Sequence, residues 1–361
     1  MGEVPKEVSI LPEIREYAQL ERPLKFVFKD GYWRIGVRRL MAKLRSILFL
    51  CTHRSKESIA GIQYTVSAIA PILPAINPSK EYDLAVSFLT PHNIVRDKVW
   101  AKKKIAWIHT DYSYVSVNTQ QESPIWMAFD NIVAVSDEVA GAFLTCFPEA
   151  GRNIITIENI LSPHFVLRRS SERDVHPELR QFFKEEKSLI LLTIGRFTYQ
   201  KNMDSIPSIM KVILMFFSEC QVEIKWFIIG YGPDRSLIQE MIRETGMEDK
   251  VILLGKKLNP YPYIKACDIY IQPSRYEGKA VTVREAQMLC KPVVITDYAT
   301  AKSQVDDGND GVVVPLDIEG CAKGIVSLIK DKQKQERIIT YLKEHDYGNE
   351  SEIEKFYELI P

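Results

Sequence analysis

The feature that most constrains the fold of this chain is a repeated pattern of short apolar runs, each followed by a helix-length segment. The runs occupy residues 83–88, 104–109, 131–136, 154–158, 189–195, 222–230, 251–255, 268–272, 292–296 and 311–314. Near-continuous apolar runs of this length are typical of parallel strands that are buried on both faces. Repeated strand–helix units therefore predict an α/β fold with doubly wound parallel sheets.

A polar stretch interrupts this pattern, so two domains are predicted. A length of 361 residues also exceeds what one hydrophobic core usually spans. We predict an N-terminal Rossmann-like domain over residues 1–167, a linker over 168–187 and a second Rossmann-like domain over 188–345, with a cleft between the domains. Residues 346–361 are expected to form a C-terminal helix that packs back on the N-terminal domain.

Composition argues against several classes of protein. The chain has 47 basic and 47 acidic residues, whereas a nucleic-acid-binding protein usually carries a basic excess. Its six cysteines are scattered without a Cys-x-x-Cys pair, which disfavours a disulfide framework or a zinc site and fits a reducing cytoplasm. No apolar stretch reaches the length of a membrane span, and the first residues lack the apolar core of a signal peptide. We therefore expect a cytoplasmic protein.

No metal or cofactor is predicted. The one dense acidic cluster, at residues 306–310, has aspartate rather than glutamate at the closing position of a calcium loop. A tight turn before the next strand is the preferred interpretation of this cluster.

The first candidate site segment follows the strand at 189–195. Gly195 permits a tight turn, after which Arg196 and Lys201 are expected to lie close together at the mouth of the cleft. Two fixed cations suit a diphosphate, because a guanidinium forks two oxygens and an ammonium adds a point charge. A solvated basic loop is the alternative. A second segment, with Gly230 and Gly232, is interpreted as a strand-to-helix turn.

The third segment is a loop and helix start after the strand at 268–272. Glu277 lies in the loop, and the first turn of the helix offers free N–H groups that suit a phosphate. Glu285 lies further along the helix, where its carboxylate can accept both hydroxyls of a ribose. A surface glutamate before a solvated helix is the alternative. The other residues expected to contact the ligand here are Gly278, Lys279, Ala280 and Val281.

These segments together resemble the donor domain of retaining GT-B glycosyltransferases of family four. The motifs GRFTYQKN, IIGYGP, DIYIQPSRYEGKAVTVREA and KPVVIT carry the resemblance, which covers roughly residues 80–330. It implies that Glu277 and Glu285, spaced as E-x7-E, hold a nucleotide sugar, and that Arg196 and Lys201 neutralise its diphosphate. The motifs look like those of bacterial enzymes that build capsular, exopolysaccharide or other cell-surface glycans.

The N-terminal half carries a further match, KIAWIHTD at residues 104–111. It is similar to the strand after which the family places an active-site histidine, which implies that His109 contacts and orients the transferred sugar. A histidine at a strand end that serves only structure is the alternative.

The resemblance also implies a reaction. A sugar is transferred with retention from a nucleoside diphosphate sugar, with UDP as the expected nucleotide, to a glycan or lipid-linked acceptor. Arg196, Lys201 and the helix N-terminus would stabilise the departing diphosphate without a metal. Glu277 would hydrogen-bond the donor sugar, and the departing phosphate would take the proton of the acceptor hydroxyl.

The start of the chain departs from the family pattern. Family members open with a strand, a glycine-rich loop and a helix, and no such segment precedes residue 80. We therefore expect that the N-terminal domain lacks its first βα units, which affects acceptor binding and catalysis. Two alternatives to a transferase stay open: a non-catalytic or partner-dependent donor-binding subunit, and a GT-B sugar-nucleotide epimerase.

The segment from Arg22 to Arg45 is strongly basic. It holds eight cations and one acid, Asp30, and residues 36–50 read as an amphipathic helix. Such a helix can lie on the inner, anionic surface of a membrane. A solvated helix face is the alternative. Short strands are expected at 8–11 and 26–28.

Overall fold

The computed structural model describes residues 6–52, 60–113, 115–172, 188–219 and 222–361. The chain divides into two compact units. The first comprises Met1–Glu158 together with Ser351–Pro361, and the second comprises Asn159–Glu350.

The first unit is built on a four-stranded parallel sheet in the order β1-β2-β3-β4. The strands are β1 Tyr82–Ser87, β2 Ala101–Ile108, β3 Asn131–Ala134 and β4 Ile154–Thr156. The two central strands are the most deeply buried, and their apolar side chains form one core with aromatic rings from the flanking helices. Each strand coincides with an apolar run in the sequence, so these four predictions are confirmed.

The first unit has eight described α-helices, four of which precede the sheet in the chain. They are α1 Arg15–Ala18, α2 Leu24–Lys29, α3 Trp33–Thr52, α4 Ala60–Ile69, α5 Asn93–Lys98, α6 Thr119–Trp126, α7 Asp137–Cys146 and the last helix of the chain, α16 Glu352–Tyr357. The amphipathic helix predicted at residues 36–50 is confirmed as part of α3. Among the described helices of either unit, none is both long and apolar enough to span a bilayer.

The strand expected at residues 26–28 is wrong, because these residues lie in α2. Pro23 precedes the helix and its carbonyl accepts from the Phe26 amide at 2.9 Å. Only Val27 of this helix is buried, against Ile35 and Ile69. The Asp30 amide also donates to the Phe26 carbonyl at 2.9 Å, which is the i to i+4 hydrogen bond of an α-helix. Residues 8–11 lie outside any regular element.

The second unit is built on a six-stranded parallel sheet in the order β10-β9-β8-β5-β6-β7. Its strands are β5 Ser188–Arg196, β6 Glu223–Tyr231, β7 Val251–Gly255, β8 Ile269–Gln272, β9 Val293–Thr296 and β10 Val312–Val314. All residues of β8 and β9 are buried, as expected of central strands covered on both faces. The six predicted strands of this half are confirmed.

The helices of the second unit bury their apolar faces against this sheet in one large core. They are α8 Pro163–Ser170, α9 Ile206–Met215, α10 Arg235–Thr245, α11 Tyr261–Ala266, α12 Val281–Met288, α13 Ala301–Gln304, α14 Ile318–Lys330 and α15 Lys332–Glu344. Helix α8 packs on α11 and α12. The linker predicted for residues 168–187 therefore starts inside a packed helix, and residues 173–187 lie outside the described part of the chain.

Candidate active site

The predicted donor residues lie at the carboxyl ends of neighbouring strands in the second sheet. Strand β5 lies between β8 and β6, so the loop after β5 and the loop after β8 leave the same edge of the sheet. The first loop carries Lys201 and the second carries Glu277. In open parallel sheets this edge is where ligands bind.

Glu277 is the centre of a buried polar cluster. Its side chain is only 5% exposed, and Lys201 Nζ donates to Oε1 at 2.6 Å. Ser274 Oγ and Gln272 Nε2 donate to the same oxygen at 2.5 and 3.2 Å. Gln200 Nε2 donates to Oε2 at 3.3 Å. A buried carboxylate with this many donors is held in one orientation, which suits recognition of a ligand.

Lys201 reaches Glu277 because the loop after β5 folds back over its own strand end. A Cβ built on Gly195 would lie 3.5 Å from Cδ of Lys201 and 3.0 Å from Cε of Met203. The short helical turn that carries Lys201 ends at Asn202, whose φ of 53° is left-handed. Gly195 itself lies within β5 without a positive φ, so it leaves room for the Lys201 and Met203 side chains by its small size and is not needed for the turn that was expected there.

The two glycines at the end of β6 permit close packing and do not serve turn geometry alone. A Cβ on Gly230 would lie 1.9 Å from the carbonyl oxygen of Gly195, and one on Gly232 would lie 2.3 Å from that of Phe197. Gly230 itself belongs to strand β6, and neither glycine has a positive φ. The interpretation of this motif as a simple turn is therefore incomplete, because the glycines let the lysine-bearing loop pack directly on β6.

Replacement of Gly230 with alanine is expected to destabilise the second unit by about 3 kcal/mol, because backbone atoms meet the new methyl group and cannot rotate away. The free energy of unfolding is measured by urea titration. Gly141→Ala is the matched control, since nothing lies within 4 Å of a Cβ at that helical position. That control should be neutral or slightly stabilising. Equal stability of both variants would contradict the close-packing argument.

Arg275 connects the two site loops, a role that was not predicted from the sequence. Its guanidinium makes two hydrogen bonds to Asp204, at 3.1 and 2.8 Å, and lies 4.0 Å from the ring centroid of Tyr199. Its backbone amide donates to the Gln200 carbonyl at 2.8 Å. The arginine is thus used for positioning the loops and not for binding an anion.

Arg196 is the exposed last residue of β5. Within the described ranges its guanidinium has no hydrogen-bond or ion-pair partner, so its donors are open to a ligand. Helix α12 starts at the same sheet edge, and its N-cap residue Ala280 provides no capping side chain. The Ala280 amide already donates to Gln304 Oε1 at 3.1 Å. The first-turn amides of Val281 and Thr282 have no intrahelical acceptor and stay available to an anion.

Glu285 is also buried, in α12. Tyr261 donates its hydroxyl to Oε1 at 2.8 Å, and burial raises the pKa of the Glu285 carboxyl. Burial also raises the pKa of Tyr270, and the charges of Glu285 and Glu277 raise it further. The Tyr270 hydroxyl donates to Gln272 Oε1 at 2.7 Å, and Gln272 in turn donates to Glu277, so this tyrosine is linked by hydrogen bonds to the Glu277 cluster.

His109 follows β2 in the first unit. Its ring centroid is 4.5 Å from that of Phe88, and it stacks on Trp107 at 6.5 Å. Burial lowers its pKa. Nε2 is buried and has no hydrogen-bond partner among the described residues. The lowered pKa favours the neutral imidazole, and its Nε2 makes no hydrogen bond to the described residues.

Two further buried ionisable side chains of the first unit were not predicted. His92 is hydrogen-bonded through Nδ1 to Ser87 Oγ at 2.9 Å, and burial lowers its pKa to about 4. Glu122, in α6, is fully buried, and burial raises its pKa to about 7. Each lies in a segment without a recognisable motif, and only tertiary packing shows that it is buried.

The acidic cluster at residues 306–310 forms a turn before β10. Gly308 has a φ of 90°, and the Asn309 amide donates to the Asp306 carbonyl at 3.0 Å. The Asp307 carboxylate accepts from the Val313 amide at 2.9 Å. In the part of the chain that the structure covers, no three His, Cys, Asp or Glu side chains group as a metal site.

A protein-family comparison matches most of the second unit. The family model for glycosyl transferases group 1 matches residues 175–345. An uncharacterized glycosyltransferase of Methanocaldococcus jannaschii is 30% identical over 139 residues, which cover 38% of this chain and 33% of that protein. A Campylobacter jejuni N-acetylgalactosaminyltransferase that acts on a diphospho-undecaprenol glycan is 26% identical over 147 residues, 40% of this chain and 38% of that protein. The chain thus spans under half the length of these relatives.

Solved structures match over more of the chain. Anabaena HepE in complex with UDP and glucose matches with a TM-score of 0.63 at 16% identity. The match covers 81% of this chain and 80% of the HepE chain. Staphylococcus aureus TarM in complex with UDP matches with a TM-score of 0.58 at 20% identity. The match covers 73% of this chain and 52% of the TarM chain. Identities this low establish the fold alone. The glycosyl transferases group 1 model thus matches residues 175–345, and the fold of the chain is that of the GT-B glycosyltransferase structures.

Proposed function

We propose that this protein is a retaining glycosyltransferase that moves a sugar from a UDP-sugar to a glycan or lipid-linked acceptor in the biosynthesis of a cell-surface glycan. The observation that carries the proposal is the buried Glu277 cluster beside the exposed Arg196 at one sheet edge. The comparisons support the same reaction class, since the solved structures include UDP complexes and one relative is named for a lipid-diphosphate-linked acceptor.

The leaving diphosphate is stabilised by fixed positive groups. Arg196 can fork two phosphate oxygens, and Lys201 keeps donors for a phosphate because an ammonium has three N–H groups and Glu277 takes one. The free amides at the start of α12 add the positive end of a helix dipole. These groups supply the charge stabilisation that usually dominates such catalysis, so no metal is required for it.

The two glutamates bind different parts of the donor. The Glu277 carboxylate, fixed by its four donors, accepts hydrogen bonds from hydroxyls of the sugar. Tyr261 occupies one oxygen of Glu285 and leaves the other for the ribose hydroxyls.

The anomeric configuration is retained if the acceptor attacks the sugar on the same face from which the leaving group departs. The bond between the anomeric carbon and the diphosphate oxygen breaks, and the acceptor oxygen bonds to the same face. The departing phosphate takes the acceptor proton. Glu277 is bound to Lys201 at 2.6 Å and to three neutral donors, which suits a binding role rather than that of a nucleophile.

Calorimetric titration of UDP tests the donor site. The parent chain is expected to bind, and Arg196→Ala and Glu285→Gln should each weaken the dissociation constant by about 10- to 100-fold, because each removes a charged hydrogen bond. Arg243→Ala and Glu240→Gln are the matched controls, since both side chains are exposed on α10. These controls should bind like the parent.

The outcomes separate the alternatives. UDP binding followed by sugar transfer to an added acceptor supports the transferase. Binding with release of an isomerised nucleotide sugar and no acceptor requirement identifies an epimerase. Binding without turnover identifies a donor-binding subunit, and a folded parent that binds no UDP overturns the donor site.

A further inference from the structure

Helix α3 buries few of its side chains and exposes most of its large apolar ones. The side that packs on the first unit presents Ile35, Ala42 and Ser46, all buried. On the opposite side Leu44 is 57% exposed and Leu48 is 69% exposed. A helix that only covers a protein core has the reverse arrangement.

The exposed apolar residues form one continuous stripe, which we name the α3 face. Its members are Trp33, Val37, Leu40, Met41, Leu44, Ile47 and Leu48. At 3.6 residues per turn these positions fall within an arc of about 120° along nearly the whole helix. Contiguous exposed apolar surface of this extent is typical of an interaction site.

Basic residues border the α3 face. The helix contains five arginine and lysine residues and no acidic residue, in a chain with no net charge. Arg38 and Arg39 donate to backbone carbonyls of Ala68 and Gln19, which fixes the helix to its own unit. The exposed cations that are left for a partner are Arg34, Lys43 and Arg45.

This pattern favours an anionic lipid surface over a second copy of the chain. Two α3 faces packed symmetrically would bring the same cations of both copies together, which is unfavourable. An apolar face with a tryptophan near its start and cations at its borders instead matches the interface between acyl chains and anionic headgroups. The helix would lie in the plane of that interface.

We propose that the α3 face binds the surface of an anionic lipid bilayer, with Leu44 and Leu48 in the acyl boundary and Lys43 and Arg45 at the headgroups. This contact goes beyond the proposed sugar transfer and does not depend on it. It would keep the chain at the surface where a lipid-linked acceptor is found.

Co-sedimentation with vesicles tests this contact in the absence of any nucleotide. The parent chain should bind vesicles of phosphatidylcholine mixed with phosphatidylglycerol and bind pure phosphatidylcholine much more weakly. The double variant Leu44→Ser/Leu48→Ser should lower the partition coefficient by about 100-fold. Lys43→Gln/Arg45→Gln should lower it by about tenfold on the anionic vesicles only.

Leu237→Ser/Leu258→Ser is the matched control, because both leucines are exposed in the second unit. It should sediment like the parent. Sedimentation velocity shows whether the chain self-associates instead. The proposal is overturned if the parent chain does not bind anionic vesicles. It is also overturned if the parent is a dimer that binds no vesicles and that dissociates when Leu44 and Leu48 are replaced with serine. UDP titration of the same variants reports on the donor site separately.

Discussion

Replacement of Lys201 with methionine is expected to lower the free energy of unfolding by about 3 kcal/mol, because it leaves the Glu277 carboxylate buried without its cation. The ammonium is 2.6 Å from the carboxylate, and the two side chains are 18% and 5% exposed. Desolvation of the unpaired charge outweighs the packing that methionine retains. Urea titration of the parent and the variant measures the change.

A second substitution separates the charge effect from packing. Glu277→Gln in the Lys201→Met background removes the unpaired charge and should recover much of the lost stability, although each single substitution destabilises. Such non-additivity is the signature of direct coupling. Lys323→Met is the matched control, because Lys323 pairs with Glu319 at the surface, with side chains 58% and 71% exposed. That substitution should lower the free energy of unfolding by less than about 1 kcal/mol.

The result also bears on the role of the site. A Lys201→Met chain as stable as the parent would mean that Ser274, Gln272 and Gln200 suffice to hold the carboxylate. A destabilised but folded variant is expected to bind UDP about tenfold more weakly as well, because it lacks one of the two phosphate cations.

Replacement of Glu122 with glutamine is expected to stabilise the protein at neutral and alkaline pH. Neither carboxylate oxygen has a hydrogen-bond partner in the described ranges, and the residue is completely buried in α6. Burial raises its pKa to about 7 from an ordinary value of 4.5. Folding of the parent above neutral pH therefore requires a charge in an apolar core, which glutamine avoids.

The sign of the pH dependence follows from the raised pKa. The favourable contribution of protonated Glu122 is fully present below its unfolded pKa and is lost as the pH rises through about 7. Relative to the parent, Glu122→Gln should gain about 2–3 kcal/mol of stability between about pH 5 and about pH 8. Urea titrations at both pH values measure the gain. Glu138→Gln, at an exposed position of α7, is the control and should show no such trend.

The strands were predictable from the sequence because burial on both faces leaves a simple signature. A strand such as Val293–Thr296 is apolar at nearly every position, is buried throughout and is bounded by polar residues, so its length and type can be read directly. The expectation of a strand at 26–28 was wrong because three apolar residues are too few to show whether the period is that of a strand or a helix. Short segments on small cores lack the repeats that decide between them.

The candidate site was predictable at the level of residue types and spacing. Lys201 and Glu277 were expected at one sheet edge, because the carboxyl ends of parallel strands meet there. Their direct ion pair was not expected, since both were assigned to the ligand. Gln272 at the end of an apolar strand and Ser274 three residues before Glu277 were visible as polar side chains in a buried context. Their convergence on one oxygen depends on loop geometry.

The ten strands of the two sheets, the α/β class and the E-x7-E and Arg–Lys pattern could be predicted from the sequence, because they depend on local periodicity and spacing. Which side chains are desolvated, and which partners they meet, became known from the three-dimensional structure. The structure showed that Arg275 connects the two site loops, that Glu122 is a buried acid and that most large apolar residues of α3 are exposed. Burial and pairing result from packing between segments distant in the chain, which no local pattern records.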